Sequence, residues 1–227
     1  MPPPVDPAST PPSAATQRRR APRQERAQVT VEAIFEAVAQ IVATEGEAAL
    51  TTNRIAERAG VSVGSLYQYF PSKEAIVTAL LDRHCTQVMR ELDALLAQAL
   101  HEHWPTEQQV RRYVRHYLQA FGGGPESERA LARLAWRQDE RAALLVAVRG
   151  ASERLALHLQ RLARQQGLPV PDAAQLFVLT RGVMGAVRAA SLEASPLLGS
   201  AELEDALVRL CLAVLGLPPP PTPTGTA

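Results

Sequence analysis

Aromatic residues and lysine are scarce in this chain of 227 residues, and each shortage excludes a class of protein. Aromatic side chains make up only 4% of the sequence, whereas hydrophobic residues as a whole make up 46% and are mostly alanine, leucine and valine. Because strands favour aromatic and β-branched residues, this composition predicts helices. Lysine occurs once, and 24 cationic against 23 acidic residues give a net charge of +1. This balance excludes a uniformly basic nucleic-acid coat but not a local basic patch.

Cysteine and long apolar runs are also scarce. Cys85 and Cys211 stand far apart, which excludes a disulfide scaffold and a zinc ribbon and predicts two small buried residues in a reducing cytosol. The longest apolar run, residues 176–192, is interrupted by Arg181 and Arg188, so no membrane span is predicted. No signal peptide is visible, and we expect a cytoplasmic protein without a metal site or cofactor.

Proline marks the two ends of the chain. Of 18 prolines, seven lie within residues 1–22 and five within residues 218–223. Both ends are also rich in serine and threonine and lack apolar periodicity, so residues 1–24 and 218–227 are predicted to be disordered tails.

Helical periodicity runs through the region between the tails. Residues 28–44 carry apolar side chains at steps of three and one, which form one face of an α-helix. Short helices are predicted at 52–59 and 63–69, and a long helix begins at Ser72. Further helices are predicted near residues 106–121, 126–137, 139–166, 171–194 and 201–217. No alternating apolar and polar run occurs, so no sheet is predicted.

The segment 51–73, TTNRIAERAGVSVGSLYQYFPSK, holds two short helices around a tight turn. Thr51 and Ser62 suit the N-cap positions of these helices. Leu66 and Phe70 lie four residues apart and anchor the second helix to the core. The outer positions then carry small, hydroxyl-bearing and aromatic side chains without any acid. This is the arrangement of a helix-turn-helix, whose second helix enters the major groove of DNA.

On these residues, with the preceding VEAIFEAVAQIVATEG and the following KEAI, the chain resembles the TetR family of one-component transcriptional regulators. The resemblance covers residues 28–84, and beyond them only the helical layout and the length match. It implies DNA contacts at the start of the second helix, along the third and at the start of the fourth. The residues at those positions are Thr52, Asn53, Ser62, Val63, Gly64, Ser65, Tyr67, Gln68, Tyr69 and Lys73.

Within that set the resemblance assigns Tyr67 and Lys73 to DNA phosphates. Gln68 is the best hydrogen-bonding base reader, since its amide pairs with adenine at two places, and Ser65 is the next best. Two structural roles remain open: Tyr67 as a half-buried core aromatic, and Lys73 as a solvated cation in a first helical turn, where the helix dipole disfavours positive charge.

Five arginines precede the first helix, with Glu25 as the only acid among them. They are Arg18, Arg19, Arg20, Arg23 and Arg26, and the local net charge is +4. A flexible basic arm of this kind contacts phosphates or a minor groove. A solvated tail that only raises solubility is the alternative.

The last two predicted helices carry faces suited to another helix. The helix predicted near residues 171–194 has a face of small residues. The helix predicted near residues 201–217 has a seam of leucines and a valine that recur at steps of four and three. These residues are Gly182, Gly185, Ala186, Ala189 and Ala190, then Leu203, Leu207, Leu210, Val214 and Leu217. They predict a homodimer through the last two helices, since a two-fold dimer doubles a short recognition site. Packing within one chain is the alternative.

The resemblance also implies a small-molecule inducer bound among the middle helices. The candidate lining residues are Tyr117, Phe121, Trp136, Phe177, Arg181 and Met184, with Trp104 and Tyr113 as further aromatic candidates. For each aromatic residue, ordinary core packing is the stronger alternative. Arg181 and Arg188 suit either an anionic group on a ligand or an acid, such as Glu193 or one across a dimer interface.

These features together predict an all-α chain with two domains. Residues 25–72 form a three-helix, helix-turn-helix DNA-binding domain, and residues 73–217 form a helical ligand-binding and dimerisation domain. The expected function is a repressor released from a palindromic operator in double-stranded DNA by a small molecule. The alternative is a regulator whose C-terminal domain binds a protein partner; a cavity of several hundred Å³ would favour the small molecule. No hydrolase or metalloprotease motif occurs, so no enzyme is predicted.

Overall fold

The computed structural model describes residues 14–137 and 142–218, without the side chains of residues 14–24, 142–148 and 151. In these ranges it contains nine α-helices and no strand, which confirms the predicted all-α class. The helices are α1 (Ala14–Thr44), α2 (Thr52–Ala59), α3 (Val63–Tyr69), α4 (Lys73–His101), α5 (Thr106–Leu118), α6 (Glu126–Arg137), α7 (Ala142–Gln166), α8 (Ala173–Leu192) and α9 (Ala201–Val214).

Helix α1 begins earlier than the sequence predicts. Its first residue is Ala14, so residues 14–24 are helical where a disordered tail was expected. Alanine, glutamine and arginine dominate this stretch, and all three are strong helix formers. The remaining part of that predicted tail, residues 1–13, and residues 219–227 of the C-terminal tail lie outside the described residues.

The first hydrophobic core lies among α1, α2, α3 and the first turns of α4. Its fully buried side chains include Ile34, Val38, Ile55, Leu66 and Ile76. Helix α6, although distant in sequence, completes this core with four buried residues. They are Ala130, Leu131, Leu134 and Ala135.

The second core lies among α4 to α9. It includes Leu92, Val114, Leu159, Val187 and Leu212, one from each of five helices. Helix α6 also enters this core, through Ala132 and Trp136 on its other side. Both α4 and α6 therefore pack in two cores at once, and the two cores do not divide at a single residue.

Ion pairs fasten α5 to α9. Arg115 contacts Glu204 at 2.8 Å, and Arg111 contacts both Glu204 and Asp205. The hydrogen bond from Arg115 holds the pKa of the Glu204 carboxyl below its usual range. Glu204 also lies in the first turn of α9, where the helix dipole favours negative charge.

The turn after α5 packs closely against a neighbouring loop and needs a glycine at the point of contact. Residues Gln119–Gly123 form a π-helical turn in which Phe121 and Gly122 are buried. A Cβ atom at Gly122 would lie 2.6 Å from Cδ2 of Leu198, in the loop between α8 and α9. Glycine at this position therefore allows the turn to approach that loop.

One segment departs from the expectation that no part of the chain has the length and hydropathy of a membrane span. The segment Glu25–Thr44 of α1 has the length and hydropathy of a membrane span. Ile34, Val38 and Ile41 of this segment are completely buried in the first core. Core packing therefore accounts for its apolar character.

We predict that Leu134→Ala destabilises the protein by about 2–5 kcal/mol, because it removes a buried side chain through which α6 joins the first core. The midpoint of urea unfolding, followed by circular dichroism at fixed protein concentration, measures the change. Leu157→Ala is the matched control: Leu157 is 54% exposed on α7, and we expect a change within about 0.5 kcal/mol. Equal midpoints for the two variants would contradict the packing of α6.

Candidate DNA interface and ligand cavity

The turn between α2 and α3 is specified by local hydrogen bonds. The Thr51 hydroxyl accepts a bond from the backbone N–H of Arg54 at 3.1 Å and caps α2. Gly60 ends α2 in the left-handed conformation at φ 68°, which glycine adopts without a Cβ clash. The Val61 N–H then donates to the carbonyl of Ala56 at 3.0 Å, and Ser62 caps α3. This sequence of caps fixes the direction in which α3 leaves α2.

Buried side chains hold α3 against the domain. Leu66 is fully buried, and Phe70 packs on Phe35 of α1 with ring centroids 5.7 Å apart. Ile55 and Ala56 bury the inner side of α2 in the same core. The outer side of α3 is thereby left at the surface.

None of the ten predicted DNA-contact residues is buried. Tyr67 is 51% exposed, which excludes its role as a core aromatic, and its hydroxyl donates to Oγ1 of Thr52 at 3.5 Å. Asn53, Gly64 and Gln68 are exposed. The structure thus brings the start of α2 and the outer side of α3 onto one surface.

Besides Tyr67 and Thr52, three of the ten residues have side-chain hydrogen-bond partners within the chain. The Ser62 and Ser65 hydroxyls lie 2.8 Å apart and share a hydrogen bond. Lys73 Nζ donates to the carbonyl of Leu50 at 3.1 Å, which explains a cation at the start of α4 without a phosphate. Tyr69 lines a groove between α1 and α4, away from α2.

The two arginines of α2 are neutralised by neighbouring acids. Arg54 contacts Glu45 at 2.9 Å and Glu57 at 2.8 Å, and Arg58 also contacts Glu45. The hydrogen bond from Arg54 lowers the pKa of the Glu45 carboxyl, and the two arginines add to this by charge. The helix-turn-helix therefore presents mostly uncharged side chains.

A cavity of about 110 Å³ lies within the second core and is smaller than the several hundred Å³ expected above for a small-molecule site. Four of the six predicted ligand-contact residues line it: Tyr117, Phe121, Trp136 and Met184. Tyr113 also lines it, and Phe121 stacks on both Tyr117 and Trp136 with centroids 4.7 and 5.5 Å apart. Its lining includes no aspartate, glutamate, lysine or arginine among the described residues.

Phe177 and Arg181, which were also predicted to contact a ligand, do not line this cavity. Phe177 is 61% exposed because α8 turns Leu179, Val183 and Met184 inward instead. Arg181 lies outside the lining, where it donates to the hydroxyls of Ser152 and Thr180 and its guanidinium sits 5.3 Å from the Phe177 ring centroid. Trp104 is buried elsewhere, under Arg112.

A chain of polar groups borders the cavity. The Gln109 amide donates through Nε2 to the Trp104 carbonyl at 2.7 Å, which leaves its Oε1 to accept from His158 Nε2 at 3.0 Å. Burial, with a smaller effect of Arg161, lowers the pKa of His158 to about 4. The imidazole is therefore neutral at pH 7.

The other titratable groups of the cavity are neutral as well. Burial raises the pKa of Tyr113 to about 12 and that of Cys211 to about 12, and it also raises those of Tyr117 and Cys85. Among the described residues, the buried Trp136 Nε1 has no hydrogen-bond partner. The cavity is thus apolar and uncharged, and the indole N–H of Trp136 is an unused donor in its wall.

Several lining residues were missed by the sequence analysis. They include Cys85, Met89, Gln109, Ser152, His158, Thr180 and Cys211. The apolar members follow helical periodicity and carried a usable signal. Gln109 and His158 carried none, because their mutual hydrogen bond depends on the packing of α5 against α7.

The predicted leucine seam of α9 divides between two environments. Leu207 is buried in the chain's own core, which corrects its assignment to an interface between chains. Leu210 is 39% exposed, and a Cβ at Gly185 of α8 would meet no atom within 4 Å. An apolar strip on α8 and α9 therefore remains at the surface of the chain.

A protein-family model matches the N-terminal part of the chain. Residues 34–80 match the family described as bacterial regulatory proteins, tetR family. The HTH-type transcriptional regulator EthR of Mycolicibacterium smegmatis is 30% identical over 100 residues, which are 43% of this chain and 44% of EthR. The chain thus matches less than half the length of its curated relatives, which are transcriptional regulators.

Solved structures extend the likeness to most of the chain. SmeT of Stenotrophomonas maltophilia, the repressor of the multidrug efflux pump SmeDEF, has a TM-score of 0.64 at 22% identity over 81% of this chain and 88% of SmeT. The fatty acid degradation regulator FadR of Bacillus halodurans has a TM-score of 0.62 at 17% identity over 82% of this chain and 95% of FadR. At these identities the likeness establishes the fold alone.

We predict that stability falls as the pH drops from about 6.5 to about 4, because unfolded His158 takes up a proton in that window and the buried imidazole does not. The contribution of His158 is complete above pH 6.5, and its loss approaches about 3 kcal/mol near pH 4. His158→Gln keeps a donor for Gln109 and should flatten this part of the pH dependence of the urea midpoint. His101→Gln, on the exposed end of α4, leaves the buried imidazole in place and is the control. A His158→Gln profile as steep as the control profile would contradict the assignment.

Proposed function

We propose that this chain, which belongs to the TetR family of bacterial regulatory proteins, is a cytoplasmic repressor that leaves a palindromic operator when a small molecule binds its C-terminal domain. The proposal concerns a regulator without enzymatic activity. It rests chiefly on one observation: α3 is fixed by two caps and a buried Leu66, and its outer side carries exposed polar residues. A helix held in this way suits the major groove.

Selection of bound duplexes from a random DNA pool tests the proposal. We expect an enriched palindrome with half-sites about one helical turn apart, as a two-fold dimer requires. Salt-sensitive binding without any enriched sequence would contradict a sequence-specific regulator. The enriched duplex then serves as the probe for variants and ligands.

We predict that Gln68→Ala lowers affinity for the best site by about 1–3 kcal/mol and relaxes the preference at one base pair, because the exposed amide of Gln68 can pair with adenine. Tyr67→Phe should weaken binding by about 1 kcal/mol on all sequences, because it removes one hydrogen bond to a phosphate. Fluorescence anisotropy with the enriched duplex and single-base variants of it measures both. A uniform loss for Gln68→Ala would show a backbone contact instead of base reading.

We further propose that the exposed strip on α8 and α9 joins two copies of the chain. Val178, Leu192 and Leu210 are large apolar residues at the surface, and Gly185 leaves space between them for a close helix approach. Burial of such a strip against its own copy would remove apolar surface from water. Two recognition helices would then read the two halves of the palindrome.

The packing of α6 supports a route from ligand to DNA. Trp136 forms part of the cavity wall, and two residues earlier Leu134 is buried in the core of the DNA-binding domain. A ligand that displaces Trp136 therefore moves a helix that the first core depends on. A shift of α6 would change the spacing of the two recognition helices in the dimer.

The lining and the volume of the cavity indicate the charge and the size of the molecule that it could bind. Its lining is uncharged, its volume of about 110 Å³ lies below the several hundred Å³ of drug-sized sites, and Trp136 Nε1 has no partner among the described residues. These features favour a neutral molecule about the size of one aromatic ring, with one hydrogen-bond acceptor. The related SmeT has been solved as a complex with triclosan.

We predict that acetophenone binds and raises the melting temperature, whereas benzoate, of similar size, does not, because burial of a carboxylate without a cation is costly. Trp136→Phe should weaken acetophenone binding about fivefold through the lost hydrogen bond. Toluene, which has no acceptor, is the matched probe: the variant changes the packing around both molecules, so the loss should be about fivefold larger for acetophenone than for toluene. Isothermal titration calorimetry measures all three. Benzoate binding as tight as that of acetophenone would contradict a neutral ligand.

A further inference from the structure

The predicted DNA-binding domain has a net negative charge, which DNA phosphates repel. Residues 25–72 contain three arginines and six glutamates, a net charge of −3. Protein–DNA affinity depends largely on cationic side chains that neutralise phosphates and release counterions. A domain of this charge needs cations from outside its own boundaries.

Two of the three arginines within the domain are also committed to acidic partners. Arg54 and Arg58 form ion pairs with Glu45, and Arg54 contacts Glu57 as well. Lys73, at the start of α4, donates to a backbone carbonyl. Few positive charges on this surface are therefore available for phosphates.

The segment directly before the domain has a net positive charge. Residues 1–24 contain four arginines and one aspartate, a net charge of +3. All four arginines lie within residues 18–23, and α1 begins at Ala14, so they belong to the same helix as the core residues that follow. We propose that this N-terminal extension of α1 binds DNA phosphates beside the operator and supplies the electrostatic part of the affinity. The inference rests on the proposed DNA-binding function.

The helical form also determines the kind of contact. An α-helix with its side chains is about 10–12 Å across, whereas the minor groove of B-DNA is about 6 Å wide. The extension therefore does not enter that groove as an unstructured arm would. Its partners are the phosphates along the outside of the duplex, and such contacts carry no base preference.

Salt dependence of binding tests this inference in the full-length protein. The variant carries Arg18→Gln, Arg19→Gln, Arg20→Gln and Arg23→Gln, which remove charge and keep a good helix former. The slope of log affinity against log salt should become shallower by about 0.9 for each arginine that contacts a phosphate, up to about 3.6. Fluorescence anisotropy between 50 and 200 mM salt, with the selected duplex and an unrelated duplex, measures the slope.

Two controls separate charge from other effects. Arg161→Gln with Arg164→Gln, on the exposed side of α7, should leave the slope unchanged. The four arginines replaced by lysine should restore the wild-type slope, because the phosphate contacts need only positive charge. Circular dichroism and the melting temperature show whether each variant folds like the wild type.

The outcomes distinguish the inference from the proposed function. If the wild-type chain enriches no sequence and binds no duplex at 50 mM salt, the proposed function fails. If the wild type binds its duplex and the glutamine variant keeps the same slope, the inference about the extension is overturned and the DNA-binding function stands. A shallower slope on both duplexes, with an unchanged ratio of their affinities, supports the inference.

Discussion

The double packing of α6 is the constraint on which the arrangement of the two domains depends. Leu131 and Leu134 are buried among α1 and its neighbours, while Ala132 and Trp136 are buried in the second core. Because both sides of one short helix are buried, neither core can change its shape without moving the other. Dense packing makes such contacts stiff, so a displacement at the cavity is transmitted and not absorbed. The proposed response to a ligand needs no additional linking element.

The cavity and the surface of the helix-turn-helix carry little net charge, whereas positive charge is concentrated in another part of the chain. The cavity holds groups that titrate in water, yet burial keeps His158 neutral and raises the pKa of Tyr113 well above physiological pH. The surface of the helix-turn-helix is also nearly neutral, because Glu45 and Glu57 balance the two arginines of α2. Positive charge is concentrated before the first core, in residues 18–26. In the proposed function, recognition of bases and attraction to the duplex therefore fall to different parts of α1 to α3.

The sequence predicted the elements whose signals are local and missed those that depend on distant packing. The bounds of α2 and α3 follow from Thr51, Gly60 and Ser62, which act within one turn of the chain. Periodicity located most of the cavity aromatics, but it could not show how α8 is rotated, so Phe177 was assigned to the inside. The bond between Gln109 and His158 joins residues 49 apart, and only the packed structure reveals it. The early start of α1 was hidden by the prolines around it.

The absence of any charged residue in α3 has a consequence for how such a chain can change over generations. In the proposed function, substitutions at Gln68, Gly64 or Val63 would alter which sequence is preferred while the general attraction to DNA stays the same. A lineage could therefore move to a new operator by small steps, each of which leaves a protein that still finds and scans the chromosome. The same separation would let an engineer exchange recognition residues without rebalancing the electrostatics of the whole domain.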